Sequence, residues 1–393
     1  MKLLFVQGGT RLKKDSNGNY YTDGNLNNNI WDRYKKYCDT LLVLLRKEEK
    51  IYKPEYANKQ FNPINVNNVK IYEMHDLMRP KRRFVSVRYR NIVKKEIKAA
   101  VLDCDKAIIR STHNFYTLTA VKMCRKYHKP YLIEVAGYAF DGYWYHGDLY
   151  GKISAIPYEL LSKCAVKRAK YCAYVTNYSL QRRYPCDNQT LGCSDVELKK
   201  LNNKNLVKKI EVLKNKEKYI LGTIGWINLK VKGQQNVIRA LGELKKNGID
   251  NFEYQLVGLG SHEKIDKLIK KYNLEDDVKI IGALPHEKIF EWLKNIDIYI
   301  QPSYQEGLCR SLIEAMSLAC PVIASNVGGN SELVNEDFLF EKGKYKQLKD
   351  ILRTIKNDKL VFEAKRSFEL AKNYEKNILD KKRDDFYLSF ITE

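Results

Sequence analysis

No stretch of this 393-residue chain approaches the roughly 18 consecutive apolar residues that a membrane-crossing helix requires, so any membrane contact is expected to be peripheral. The apolar run in "MKLLFVQGG" is also too short for a secretory signal. Nine cysteines are present, yet there is no C-x-x-C pair and no Cys/His cluster at zinc spacing. That excludes zinc modules and redox dithiols and points to a reducing, cytoplasmic setting. Acidic side chains are scarce beside basic ones, 47 Asp and Glu against 70 Lys and Arg, for a formal charge of +23. Such a surface attracts nucleic acid, anionic membrane or phosphorylated small molecules, and the sign alone does not choose among them. No helix-turn-helix, zinc-finger or RNP signature occurs, and the positive charge is spread along nearly every helical segment. Both facts argue against a nucleic-acid-binding protein.

What is present is alternation. Short β-rich runs ("LLFVQG" from 3, "TLLVLL" from 40, "VKIYEM" from 69, "AIIRST" from 107, "YLIEV" from 131, "CAYVT" from 172) recur between amphipathic Lys-rich segments. This is the pattern of a parallel sheet covered by helices on both faces. After the polar stretch 198–218 the pattern restarts with "YILGTIGW", "YQLVGLG", "VKIIGAL", "IYIQPS" and "PVIAS". The expected fold is therefore α/β, with two doubly wound Rossmann-like domains facing a cleft, 1–200 and 201–372, followed by a helical segment 373–393. In open sheets of this kind ligands bind beyond the carboxyl ends of the strands.

In the second half nearly every strand ends in glycine: Gly225, Gly258 with Gly260, Gly282, and the pair Gly328 and Gly329. Glycine there lets backbone approach a ligand closely, although a single one is more often only a turn. Residues 306–318 read as a helix entered through Glu306 and Gly307, with Leu308, Leu312, Ala315 and Met316 as its apolar stripe. Free amides at Gly307, Leu308 and Cys309 would favour an anion. Glu306 and Glu314, eight positions apart, cannot share one proton, so they are expected to hold two parts of a long ligand. A carboxylate accepts two hydrogen bonds from vicinal hydroxyls, which suits a sugar at one end and a ribose at the other.

The segment "EGLCRSLIEAMSLACPVIASNVGG" resembles the Glu-x(7)-Glu signature of the retaining glycosyltransferases of family 4, which have the GT-B fold. It is accompanied in order by "GWINLKVKGQQNVIRAL", "YQLVGLG", "VKIIGALPHEKIFEWL" and "DIYIQPS". The resemblance extends over 219–343 and continues more weakly upstream, where 130–196 is similar to enzymes that build bacterial surface polysaccharides (capsule, O-antigen, exopolysaccharide). It implies that Glu306 holds the transferred sugar and Glu314 the ribose hydroxyls. The amides of Gly307, Leu308 and Cys309 would bind sugar and diphosphate, and Lys232 the diphosphate. Gly258 with the backbone of Gly282, Ala283 and Leu284 would line the base pocket. It further implies an acceptor-binding first domain, a nucleotide-sugar-binding second domain, a last helix that crosses back, a UDP-sugar donor, and no bound metal or other cofactor. The acceptor is expected to be a glycan or a polyprenyl-diphosphate-linked glycan, with the basic first domain resting on the anionic inner face of the cytoplasmic membrane.

Two positions depart from the family pattern. Trp226 follows Gly225 where an arginine is usual, leaving Lys230 or Arg310 to supply the charge. Ala136 ends "PYLIEVAG" where many members carry histidine, so Asp141 is the expected substitute for orienting acceptor or sugar. Its neighbours Tyr138, Phe140, Tyr143, Trp144 and Tyr145 could stack on sugar faces or rest at a membrane interface. Gly8 and Gly9 are expected to end the first strand facing the diphosphate and acceptor, and His113 to touch the acceptor or be held by local hydrogen bonds. "QGGTRL" lacks the third glycine of a dinucleotide fingerprint. Asp103-Cys104-Asp105 precedes a strand and reads as a helix end rather than a metal site. The alternative readings are a catalytically silent GT-B partner subunit and a basic nucleic-acid-binding protein.

Overall fold

A computed structural model describes residues 1–24, 26–64, 67–145 and 149–393. The first half forms a sheet of β1 (Lys2–Asp15), β2 (Tyr20–Thr22), β3 (Thr40–Tyr52), β4 (Asn62–Pro63), β5 (Val69–Met74), β6 (Lys106–Arg110), β7 (Tyr131–Val135), β8 (Tyr171–Tyr174) and β9 (Gln189–Gly192). Its parallel body runs β5-β3-β1-β6-β7-β8-β9, and short antiparallel β2 and β4 extend the far end of β1. Helices cover both faces, which is why the inner strands carry continuous apolar runs, as at Leu3 to Val6 and Leu41 to Leu45, while β5 and β9 are partly exposed. Leu4 and Val6 enter one core and Leu3 and Phe5 the other, as the two-residue period of a strand requires.

The second half forms a parallel sheet of β10 (Tyr219–Ile224), β11 (Phe252–Val257), β12 (Val278–Gly282), β13 (Ile298–Gln301), β14 (Val322–Ser325) and β15 (Leu339–Phe340), ordered β12-β11-β10-β13-β14-β15. Both sheets reverse direction of winding beside their first strand, so the chain is two doubly wound α/β units, as expected. The Lys-rich stretch 198–218 contains a helix, Asn203–Lys214, that belongs to the second unit. There Lys209 donates to the carbonyls of Lys294 (3.0 Å) and Ile296 (2.5 Å).

The helix Lys376–Thr392 returns to the first unit and places Tyr387 and Phe390 in its core. It closes a buried polar cluster. Glu134 accepts from Arg110 (2.6 Å), Tyr34 (2.8 Å) and Tyr387, and Asp195 pairs with Arg33 (3.0 Å) and Arg110. Burial disfavours charge on Asp195, but the two guanidiniums outweigh it and hold its carboxyl well below the usual range. A second junction is made by Glu332 of the second unit, whose carboxylate accepts from the backbone amides of Asn177 (2.7 Å), Tyr178 (3.0 Å) and Ser179 (2.6 Å). Three donors from one turn on one carboxylate fix the angle between the units as well as their spacing.

Candidate active site

In each sheet the strand order reverses between two neighbours, β1 and β6 in the first and β10 and β13 in the second. Loops leaving such a pair diverge in opposite directions and open a crevice between them. The loop after β10 ends in a tight turn, Lys230–Lys232, closed by Gly233 at φ 74°. A Cβ at Gly233 would lie 1.8 Å from the Pro302 carbonyl oxygen, so only glycine lets this turn seat against the loop after β13. That seating delivers Lys232 to Glu306, Nζ to Oε1 at 2.8 Å.

The same Oε1 accepts from Ser303 Oγ (2.7 Å) and Gln301 Nε2 (3.2 Å). Gln301 Oε1 accepts from the buried Tyr299 hydroxyl (2.9 Å), whose oxygen also lies in hydrogen-bond contact with Ser311 Oγ (2.8 Å). One carboxylate oxygen is thus saturated, while Oε2 has no hydrogen bond among the described residues and remains an acceptor for a ligand hydroxyl. Burial works against the Lys232 ammonium, and the Glu306 carboxylate outweighs it, raising its pKa. Burial beside Glu306 pushes the Cys309 thiol up to about 12, so it is not a nucleophile.

The helix expected from Glu306 begins at Arg310 instead and runs Arg310–Ser317. Residues 306–309 are not helical, and there Gly307 and Gly328 pack backbone to backbone. Gly328 sits at φ 54° with its Cβ position 2.0 Å from the Glu306 carbonyl oxygen, and Gly329 donates its amide to the Gly307 carbonyl (2.7 Å). Glu314 therefore lies about one turn into the helix rather than two. It faces His286, Nε2 to Oε1 at 3.6 Å, and this contact raises the histidine's pKa. His286 opens the helix that follows Gly282, Ala283 and Leu284, so Glu314 lies beside the start of that helix. Gly258 donates its amide to the Gly282 carbonyl (2.9 Å), and its own Cβ would strike the Gly225 carbonyl oxygen at 2.0 Å. These glycines are required by loop packing on loop as well as by any ligand.

Lys230 and Arg310 are both exposed at the rim, and Trp226 is 51% exposed where the family arginine would stand.

On the facing unit, Gly8 and Gly9 do not end β1, which continues to Asp15 through a shift in register between Val6 and Arg11. Gly8 is needed because a Cβ would meet Asn114 Oδ1, the N-cap of the helix Phe115–Lys126, at 2.2 Å. The Gly9 carbonyl accepts from Arg46, whose guanidinium also pairs with Asp76 (3.2 Å) and stacks over Tyr116. His113 has no side-chain hydrogen bond among the described residues. Loss of solvation lowers its pKa to about 4, leaving it a neutral imidazole at pH 7. Asp141 lies in the helix Ala139–Trp144, and burial pushes its carboxyl up.

That helix touches the opposite unit beside Glu306. The Gln305 side-chain amide bonds the Asp141 carbonyl (3.1 Å) and the Gly142 amide (3.3 Å). A Cβ on Gly307 would lie 2.3 Å from the Ala136 carbonyl oxygen.

Sequence reasoning missed Gln301, Ser303, His286, Arg46 and Glu332. Gln301 and Ser303 lie in the quoted "DIYIQPS", and polar residues closing an otherwise apolar strand were the available signal. A separate concavity of about 580 Å³, beyond β15, is walled by Glu336, Asp337, Glu341 and Asp350. Its acidic lining is wrong for a phosphate ligand, so the cleft around Lys232 and Glu306 is the candidate site.

A family described as glycosyl transferases group 1 matches residues 206–378. Protein CapJ of Staphylococcus aureus is 35% identical over 390 residues, covering 98% of this chain and 90% of that protein. A putative colanic acid biosynthesis glycosyltransferase, WcaL of Escherichia coli, is 34% identical over 113 residues, 27% of this chain and 28% of that one. In fold, HepE of Anabaena, solved in complex with UDP, superposes with a TM-score of 0.65 at 17% identity over 99% of this chain and 100% of its own. Sucrose-phosphate synthase of Thermosynechococcus elongatus gives 0.66 at 14% identity over 100% and 99%.

Proposed function

Since this chain belongs to the group 1 glycosyl transferases, with the GT-B arrangement of two facing α/β units, we propose that it moves a sugar from a UDP-sugar to a hydroxyl of a glycan or lipid-linked glycan, with retention, in surface-polysaccharide biosynthesis. The observation that carries the reading is the Lys232–Glu306 pair at the β10/β13 switch point, with Glu314 one turn further on. Solved complexes of HepE with UDP and with UDP-glucose support the choice of base, and the name of WcaL supports the product class.

In the proposed reaction the acceptor oxygen forms its bond to the anomeric carbon as the bond from that carbon to the diphosphate oxygen breaks. Attack comes from the face the diphosphate is leaving, and the acceptor proton passes to a diphosphate oxygen. Negative charge gathers on the departing diphosphate. Lys232 and the amides of Gly307, Leu308 and Cys309 supply fixed donors for it, so no cation is called for. Glu306, saturated at Oε1 and open at Oε2, positions a sugar hydroxyl rather than attacking carbon. Glu314 takes the ribose hydroxyls. Asp141 and His113 face the acceptor, the first as a carboxylate of raised pKa and the second as an uncharged imidazole.

The test is a thermal-shift series with UDP, GDP and ADP and their sugar conjugates, repeated with Glu314→Ala and in EDTA. A shift with UDP that shrinks in the variant and survives EDTA is expected. No shift with any nucleotide at millimolar concentration would overturn the donor site and favour the catalytically silent subunit.

A further inference from the structure

Residues 149–167 form a helix that is turned inside out. Its inward side carries mostly small and polar residues, Gly151, Ala155, Glu159, Ser162 and Ala165, with Val166 in the last turn, all buried. Its outward side carries Leu149, Ile153, Ile156 and Leu160 at 71, 64, 60 and 58% exposure, with Tyr150 and Leu161 beside them. The exposed four fall at steps of four, three and four residues, so they form one stripe along the helix rather than scattered apolar positions. Isolated exposed aliphatics need no explanation, but a continuous stripe on a helix that buries alanine and serine does.

The patch extends onto the neighbouring segment. Lys81 Nζ lies 5.8 Å from the Tyr150 ring, and next to it Val85 (70%) and Val87 (62%) also face solvent. Among the described residues the charge around this surface is predominantly basic, although Arg83 pairs with the exposed Glu49 (2.5 Å). Between Asp76 and Glu96 there is no acidic residue, while Arg79, Lys81, Arg82 and Arg88 are exposed. Along the helix Leu149–Lys167 the single acid is Glu159, buried and hydrogen-bonded to Tyr184 (2.6 Å), whereas Lys152 and Lys167 are exposed. A protein partner could match the apolar stripe, but a predominantly basic rim matches a surface that is apolar within and anionic outside.

We propose that the helix Leu149–Lys167, with the segment 78–88, is the face by which this protein lies on an anionic lipid bilayer, its aliphatic stripe entering the acyl boundary and its basic rim meeting the headgroups. The position serves the reaction. Tyr158 of this helix stacks on Tyr143 (4.9 Å), and Glu159 accepts the Phe140 amide (3.1 Å), so the next layer inward is the helix Ala139–Trp144 that touches Gln305 at the cleft. An acceptor anchored in the bilayer would reach Glu306 across one helix. This use rests on the transfer reaction proposed above, whereas the docking itself does not.

The test is partition of the full chain onto vesicles of phosphatidylglycerol mixed with phosphatidylcholine, against phosphatidylcholine alone, without nucleotide. Wild type is expected to bind the anionic vesicles at least about tenfold better. Ile153→Asp with Leu160→Asp should lose at least about tenfold, and Arg82→Glu with Arg88→Glu should lose as much at low salt and less at high salt. All altered side chains are exposed, so unchanged melting temperatures are expected and establish that the variants are folded. Wild type that ignores anionic vesicles, or an aspartate variant that binds them equally well, would overturn the proposal. So would a wild-type dimer in sedimentation that the aspartate variant dissociates, since it would assign the face to a second copy. A failed UDP shift, by contrast, would remove the transferase reading and leave the partition result standing.

Discussion

Gly307→Ala offers a direct test of whether the contact between the two units is the arrangement in which transfer occurs. Its Cβ would sit 2.3 Å from the Ala136 carbonyl oxygen and 3.2 Å from that carbonyl carbon, both backbone atoms of the opposite unit. No rotamer change relieves a clash with backbone, so the units must separate by about 1 Å to restore ordinary contact. Glu306 precedes residue 307 directly and would move with it relative to Asp141 and His113. A displacement of about 1 Å between reacting groups costs roughly 100-fold in turnover. Nucleotide binding draws on Lys232 and Glu314, both on the second unit, and should be unaffected. The control is Gly137→Ala, on the other side of the same junction, where a Cβ meets nothing within 4 Å. The assay is UDP release with acceptor present, beside the UDP thermal shift for each variant. Turnover falling about 100-fold in Gly307→Ala, with the shift unchanged and Gly137→Ala within about twofold of wild type, is the expected outcome. Full turnover in Gly307→Ala would refute the reasoning, because transfer would then not require this closed contact.

Lys232→Met should lower turnover by roughly 100- to 1,000-fold as the diphosphate loses its buried donor, and the double variant with Glu306→Gln should be far from additive, as a double-mutant cycle on UDP release will measure. Asp195→Asn leaves Arg33 and Arg110 short of a carboxylate and should cost about 3 kcal/mol in urea unfolding at pH 7. Because the folded pKa of Asp195 is depressed below its ordinary 3.8, its contribution is fully present above 3.8 and is lost as pH falls through the folded value, so the gap between wild type and variant should narrow only below 3.8. Glu332→Ala strands three backbone amides at residues 177, 178 and 179, and their hydrogen exchange should quicken at least about tenfold, equivalent to about 1.4 kcal/mol.

Most of the parallel strands were legible because they carry a run of apolar residues, as at Leu41 to Leu45, which are all buried. The short strands β2, β4 and β15 were not. Two or three residues such as Leu339 and Phe340 have no pattern of their own and are strands only because a partner supplies the hydrogen bonds. Glu306 and Glu314 could be read as a pair, yet their surroundings could not, because a helix starting at 306 and one starting at 310 have the same apolar periodicity. What the sequence did not show is the contact of Gly328 and Gly329 with the backbone of residues 306 and 307.

What the sequence by itself determined is therefore the class and the order of parts: two α/β units, glycine at the strand ends of the second, two carboxylates eight residues apart, and an excess of positive charge. Those properties are local or compositional and survive without knowing what touches what. Only the tertiary structure decided that Lys232 meets Glu306 across 74 positions, that Glu332 and Gly307 join the units at the cleft, and that the helix Leu149–Lys167 shows its aliphatic side to solvent. Which side of an apolar helix is buried is set by the neighbours it packs against, and those neighbours are brought there by strand order, which no short stretch of sequence encodes.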